Sequence, residues 1–281
     1  MQFFNRIHPL AGIVVLLAMV FFSCSRTTMY SAMWQHEPLV STQRPAYWET
    51  GSQFDRSTKL HYAVSNDEEH VYVFLKTADR TMQMKMLRAG VQLGIDTTGG
   101  KNEHLSIRYP YLQAAVASLA GMDRMGGGQQ GNRPIMVNRF LTGARTMLVA
   151  GFPSHESGEL PHDTPGWINV NMEMDEQENL YFWAVIPVHY LGAEATRLQE
   201  VSQGMTISLP GIEAPDMGDR QSGGRPPDGI RINPDGGRVG AQPVGGPRPR
   251  PGMQGTPPDP EAMRRTQSFH LLLNLSKKPQ G

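Results

Sequence analysis

Cysteine is almost missing from this chain: its 281 residues contain one, Cys24. An internal disulfide is therefore impossible, and the thiol is either free or modified. An excess of charge of one sign is missing too, with 26 Lys+Arg against 26 Asp+Glu. Nucleic-acid binding asks for a basic stripe along the phosphates, so this balance argues against such a partner. No Gly-x-Ser-x-Gly elbow, His-Glu-x-x-His pair or phosphate-cradling Gly-Lys-Ser/Thr loop occurs, and Gly100-Lys101-Asn102 lacks the hydroxyl. A helix that crosses a bilayer needs roughly 20 apolar residues, whereas the leading apolar run, 10–22, has 13. These absences lead us to expect no enzyme, no cofactor and no bound metal.

What is present begins with that short run. Arg6 supplies a positive n-region and 10–22 an apolar h-region, the layout of an export signal over residues 1–23. Phe21-Phe22-Ser23-Cys24 resembles a bacterial lipobox, a small residue before a cysteine at the end of the h-region. The resemblance implies lipidation at Cys24, with a diacylglycerol and an amide-linked chain. Each buried CH₂ contributes about 0.8 kcal/mol, so several chains hold a protein to a bilayer without a spanning helix. Cleavage before Cys24 removes one basic and no acidic residue, and Ser25-Arg26-Thr27-Thr28 carries no acid. The expected location is the cell envelope, lipid-anchored in the outer membrane and facing the periplasm.

After the lipidated cysteine we expect a tether over 24–44 and one domain over 45–275. Leu60, Tyr62 and Val64 alternate with Lys59, His61 and Ala63, the period of a half-buried strand. Asn66-Asp67-Glu68-Glu69 supplies turn residues, and Val71, Val73 and Leu75 continue as a second strand. Both faces of that strand are apolar, which places it inside a sheet. Met82, Met86 and Ala89 have helical spacing, with Thr81 as N-cap and Gly90 as the stop. Further strands are expected at 91–95, 135–138, 146–149, 168–174, 180–186, 205–209 and 269–275, and a second helix at 111–120. About nine strands with two short helices is the pattern of a mainly β protein, a β-sandwich.

Two segments lie outside that core. Residues 126–132 read as a flexible loop. Residues 213–266 read as a disordered Gly/Pro-rich insertion: between Pro215 and Pro260, 22 of 46 residues are Gly or Pro and none is aromatic. Such a stretch cannot bury enough apolar surface to offset its ordering entropy. A strand follows it, so the insertion is a long loop between strands.

The tract 59–79, with its strand, Asn-Asp turn, Tyr-Val strand and Asp79, resembles the start of carbohydrate-binding-like sandwiches of the family 9 and DOMON type. Leu87-Arg-Ala-Gly90-Val-Gln-Leu-Gly-Ile95-Asp96 continues the likeness. The resemblance implies a non-enzymatic binding module whose relatives take sugars, haem, calcium or no known ligand. For a glycan, the candidate aromatic platforms are Tyr47, Trp48 and Trp167; their alternative use is as core, the default for buried rings. Haem would need Met and His ligands such as Met84, Met86, His61 or His70, but methionine is more often core filler. Asp96 with Thr98 and Glu103 could line a calcium site or cap a turn. The leading expectation is a membrane-anchored lipoprotein binding a ligand, a glycan among the candidates. The alternative is a structural or assembly partner in the envelope, touching another protein through Arg220, Arg225, Arg231, Arg238, Arg248 and Arg250 of the insertion.

Overall fold

The computed structural model describes residues 28–38, 48, 51–111, 133–153, 155–191, 200–212 and 259–279. Within them the chain forms two sheets packed face to face. The first has the order β1 (Thr28–Ser31), β13 (Gln267–Asn274), β12 (Gln203–Leu209), β6 (Val91–Asp96), β7 (Leu105–Tyr109), β8 (Thr146–Ala150) and β9 (Gly158–Pro161). The second runs β10 (Asn169–Met174), β11 (Leu180–Pro187), β5 (His70–Thr77), β4 (Leu60–Asn66) and β2 (Met33–Trp34), with β3 (Gln53–Asp55) paired beside β2 on the same edge of β4. The helices are α1 (Arg80–Ala89), α2 (Arg133–Gly143) and α3 (Pro260–Arg264). The β-sandwich expected from the alternating patterns is the fold.

β5 shows how the sequence specifies the layers. Its register places it between β4 and β11, and both faces are buried. Val71, Val73 and Leu75 point between the sheets into the main core, with Val64, Phe182, Ile207 and Leu271. Tyr72 and Phe74 point the other way, into a second cluster with Trp48, Tyr181 and Trp183. The outer face of this sheet is thus covered, not wet.

The structure corrects several expectations. Residues 135–138 belong to α2, not to a strand. Val137 and Leu141, one turn apart, are the buried pair of that helix, while Ile135 is 68 % exposed; three apolar residues are too few to separate the two periods. α1 is capped by Asp79, whose carboxylate accepts from the Met82 N–H, and Thr81 lies inside the helix with its hydroxyl accepting from the Asp259 N–H. Gly90 does end it, at φ +78°, where a Cβ would lie 2.6 Å from the Pro110 carbonyl oxygen. β7 has a plain alternation, Leu105, Ile107 and Tyr109 buried, that the sequence reading passed over. Residues expected in the tether form β1 and β2, which pair in parallel with β13 and β4. α3 lies within the expected disordered stretch, and buried Lys85 donates to the Ala262 and Arg265 carbonyls and to Gln267. The signal segment, Cys24, Tyr47, all but Tyr111 of the helix expected at 111–120, the loop 126–132 and the six insertion arginines lie outside the described residues.

Candidate ligand cleft

The path of the N-terminal segment builds the site. β1 pairs with β13 in one sheet; the chain then crosses at Ala32, whose N–H donates to the Asn274 carbonyl, and β2 pairs with the end of β4 in the other sheet. Gln35 N–H extends that pairing to the Asn66 carbonyl at 2.8 Å. Asn66, 1 % exposed, also binds the chain's other end. Its side-chain oxygen accepts from the Ser276 N–H at 2.8 Å, and its amide donates to the Ser276 carbonyl at 2.9 Å. Three segments far apart in sequence therefore meet at one end of the sandwich: residues 34–38, the β4–β5 turn and the tail after β13.

Between them lies an open cleft of about 360 Å³, lined by Trp34, Gln35, His36, Asp67, Glu68 and Glu69, with Lys278 and two prolines completing the wall. That volume falls within the usual range of small-ligand sites, roughly 300–1,000 Å³. Trp34 is half-buried, whereas Trp48, Trp167 and Trp183 are all 4 % exposed or less. It is the one tryptophan with a face toward solvent, and a partly exposed indole beside polar groups is suited to stack on the apolar face of a ring.

The polar groups of the cleft divide into spent and available ones. Asp67 is spent. It accepts from the Glu69 and His70 N–H groups at 2.7 and 2.6 Å and from the Tyr72 hydroxyl at 2.5 Å, with the His70 ring 3.7 Å away. Burial alone would raise its pKa, but these donors outweigh burial and hold it at about 2. Glu69 uses its backbone carbonyl to accept from the Val188 N–H, leaving its carboxylate exposed. Glu68 faces Lys278 at 3.2 Å in a solvent-exposed pair. Gln35 differs from the rest. It is 5 % exposed and its amide donates to the Glu37 carbonyl at 2.6 Å, yet its side-chain oxygen is buried with no donor. A buried acceptor left unmet costs about 1–3 kcal/mol, and here it sits in the lining of a cleft.

The structure does not make platforms of the other tryptophans. Trp48, 1 % exposed, packs its ring 5.1 Å from Phe74 in the outer cluster. Trp167, 3 % exposed, carries the His155 ring stacked at 3.6 Å and the edge of Tyr190 at 4.2 Å. Freeing either ring would forfeit roughly 2–3 kcal/mol of apolar burial, so neither offers a face to a sugar. Asp96 closes its turn by accepting from the Thr98 N–H and hydroxyl and from the Asn102 N–H. Met86 is fully buried core, and His61 lies against the exposed ring of Phe54. Among the described residues no three His, Cys, Asp or Glu side chains gather as metal ligands, and no helix is long and apolar enough to cross a membrane.

Trp34 was missed because it was counted with the tether. A signal for it existed: Tyr30 and Ala32 alternate as buried residues up to the indole. The cleft partners gave none, since Asp67 and Lys278 are joined only by the fold.

No family model and no curated protein matches this sequence. Solved structures do. A family 9 carbohydrate-binding module from Caldicellulosiruptor kristjanssonii in complex with glucose has a TM-score of 0.38 at 6% identity, over 90% of this chain and 99% of that chain. A family 9 module from the same organism in complex with cellotriose has 0.36 at 8%, over 88% and 95%. Those ligands belong to those modules; the site in this chain stands on its own geometry.

Proposed function

We propose that this protein is a lipid-anchored, non-catalytic binding protein of the bacterial envelope and that its cleft at Trp34 takes a sugar ring. The observation that carries the reading is the pairing of the one half-exposed indole with an unmet buried acceptor, the Gln35 oxygen, in a cleft rimmed by carboxylates. A pyranose offers what such a cleft lacks: an apolar C–H face for the indole and several hydroxyl donors for the oxygens. The sequence supports the anchor through the lipobox likeness at Cys24. Acyl chains there would leave only Ser25, Arg26 and Thr27 before β1. The seven residues from Thr28 to Trp34 would then separate the anchor-side end of β1 from the cleft by at most about 20 Å.

The test is a tryptophan-fluorescence and calorimetric titration of the intact protein with neutral oligosaccharides. Saturable binding is expected, weakened at least tenfold, about 1.4 kcal/mol, in Trp34→Ala. Trp167→Phe should lower thermal stability and leave binding intact. Binding that survives Trp34→Ala, or is lost only with Trp167, would move the site elsewhere.

A further inference from the structure

The charge and hydrogen-bonding character of the cleft narrow the class of sugar, on the footing that the cleft is the binding site. Among the described residues that line the cleft, Gln35 has a buried amide oxygen without a donor, Asp67 spends its carboxylate on its turn, and Glu68 and Glu69 are exposed. Opposed to three carboxylates stands one lysine, Lys278, and its ammonium is already 3.2 Å from Glu68. That pair cancels within itself. What remains among the described lining residues is the Asp67 carboxylate, which stays ionised down to about pH 2 with the His70 ring 3.7 Å away, and the exposed Glu69, together with the exposed His36. The described lining thus carries an excess of negative charge.

We infer that the cleft selects saccharides that carry a protonated amine, with the ring on Trp34 and the ammonium toward Glu69, and turns away those that carry carboxylate, sulfate or phosphate. Charges a few ångströms apart interact appreciably even in water, so an anionic sugar meets repulsion from two carboxylates where a cationic one meets attraction. The effect is partly screened because Glu69 is exposed, and it weakens as salt rises. One indole with a carboxylate excess also fits an amine on a sugar ring better than a bare quaternary ammonium, which is held by several aromatic faces.

The test is calorimetric titration of the intact protein with four trisaccharides of one linkage: glucosamine, N-acetylglucosamine, glucose and glucuronate. The glucosamine form should bind about fivefold more tightly than its N-acetylated form, the difference should shrink in high salt, and the glucuronate form should show no binding. Glu69→Gln should erase the preference while the N-acetylated form binds as before, and Trp34→Ala should weaken all. If the N-acetylated or glucuronate sugar binds as tightly as glucosamine, in a manner that Trp34→Ala abolishes, the charge selection is wrong and the cleft stands. If none of the four binds, or binding ignores Trp34→Ala, the cleft reading itself falls.

Discussion

Asp67 illustrates how one side chain can be structural and still lend its charge to a cleft. Its oxygens close the β4–β5 turn through two backbone N–H groups and the Tyr72 hydroxyl. Its pKa lies at about 2 in the folded protein against an ordinary 3.8. Because the folded value is the lower one, the carboxylate adds stability above about pH 4 and that contribution drains away as pH falls through 2. The shift corresponds to about 2 kcal/mol. In urea titrations Asp67→Asn should therefore be less stable at neutral pH, with the gap to wild type closing between pH 4 and pH 2. A gap that persists unchanged to pH 2 would show that ionisation is not what the turn uses. Trp34 is the converse case, a half-buried ring in a two-residue strand, whose proposed role is binding rather than packing.

At the scale of elements, alternation was the dependable signal and short apolar runs were not. The hairpin of β4 and β5 was legible because two runs rich in β-branched and aromatic residues, seven and eight long, flank an Asn-Asp turn. α2 was not legible from Ile135, Met136 and Val137, since both a strand and a helix accept three apolar residues in a row. What holds α2 is a tertiary pairing: Asn138 donates to the Met174 carbonyl and accepts from the Met174 N–H, each at 2.8 Å. β10 is the edge of its sheet, so this side chain satisfies backbone groups that no strand covers. Asn138→Ala should cost about 1–2 kcal/mol. The Met174 amide should exchange its hydrogen faster than those of β11; unchanged protection at Met174 would mean that Asn138 does not guard that edge.

At the scale of the whole molecule, the two ends of the chain are part of one construction. β1 lies beside β13, and Asn66 ties Ser276 to the end of β4. The Gly/Pro-rich insertion joins neighbouring antiparallel strands, β12 and β13, and its ends are pinned where the Ile212 N–H donates to the Met263 carbonyl. Closing such a loop costs little more as it lengthens, because the entropy grows logarithmically. The proposed lipid anchor belongs to this scale as well. Cys24→Ala should abolish signal-peptidase processing of the lipoprotein type and release the protein from the membrane fraction. A Cys24→Ala variant that still sediments with membranes would sink the anchor.

The sequence by itself determined the class of the fold, the positions of the long strands and the cysteine's candidacy for a lipid, because alternation, turn residues and a leader are local patterns written within ten or twenty residues. The cleft was decided only by tertiary structure. Trp34, Asp67 and Lys278 are distant along the chain, and what joins them is a sheet crossover at Ala32 and a side-chain bridge from Asn66 to Ser276. The same holds for burial: Trp48 and Trp167 read as plausible platforms until packing against Phe74, and against His155 and Tyr190, covered them. Whether an aromatic ring faces water or core depends on which elements pack over it, and that is a property of the assembled sheets rather than of the neighbouring residues.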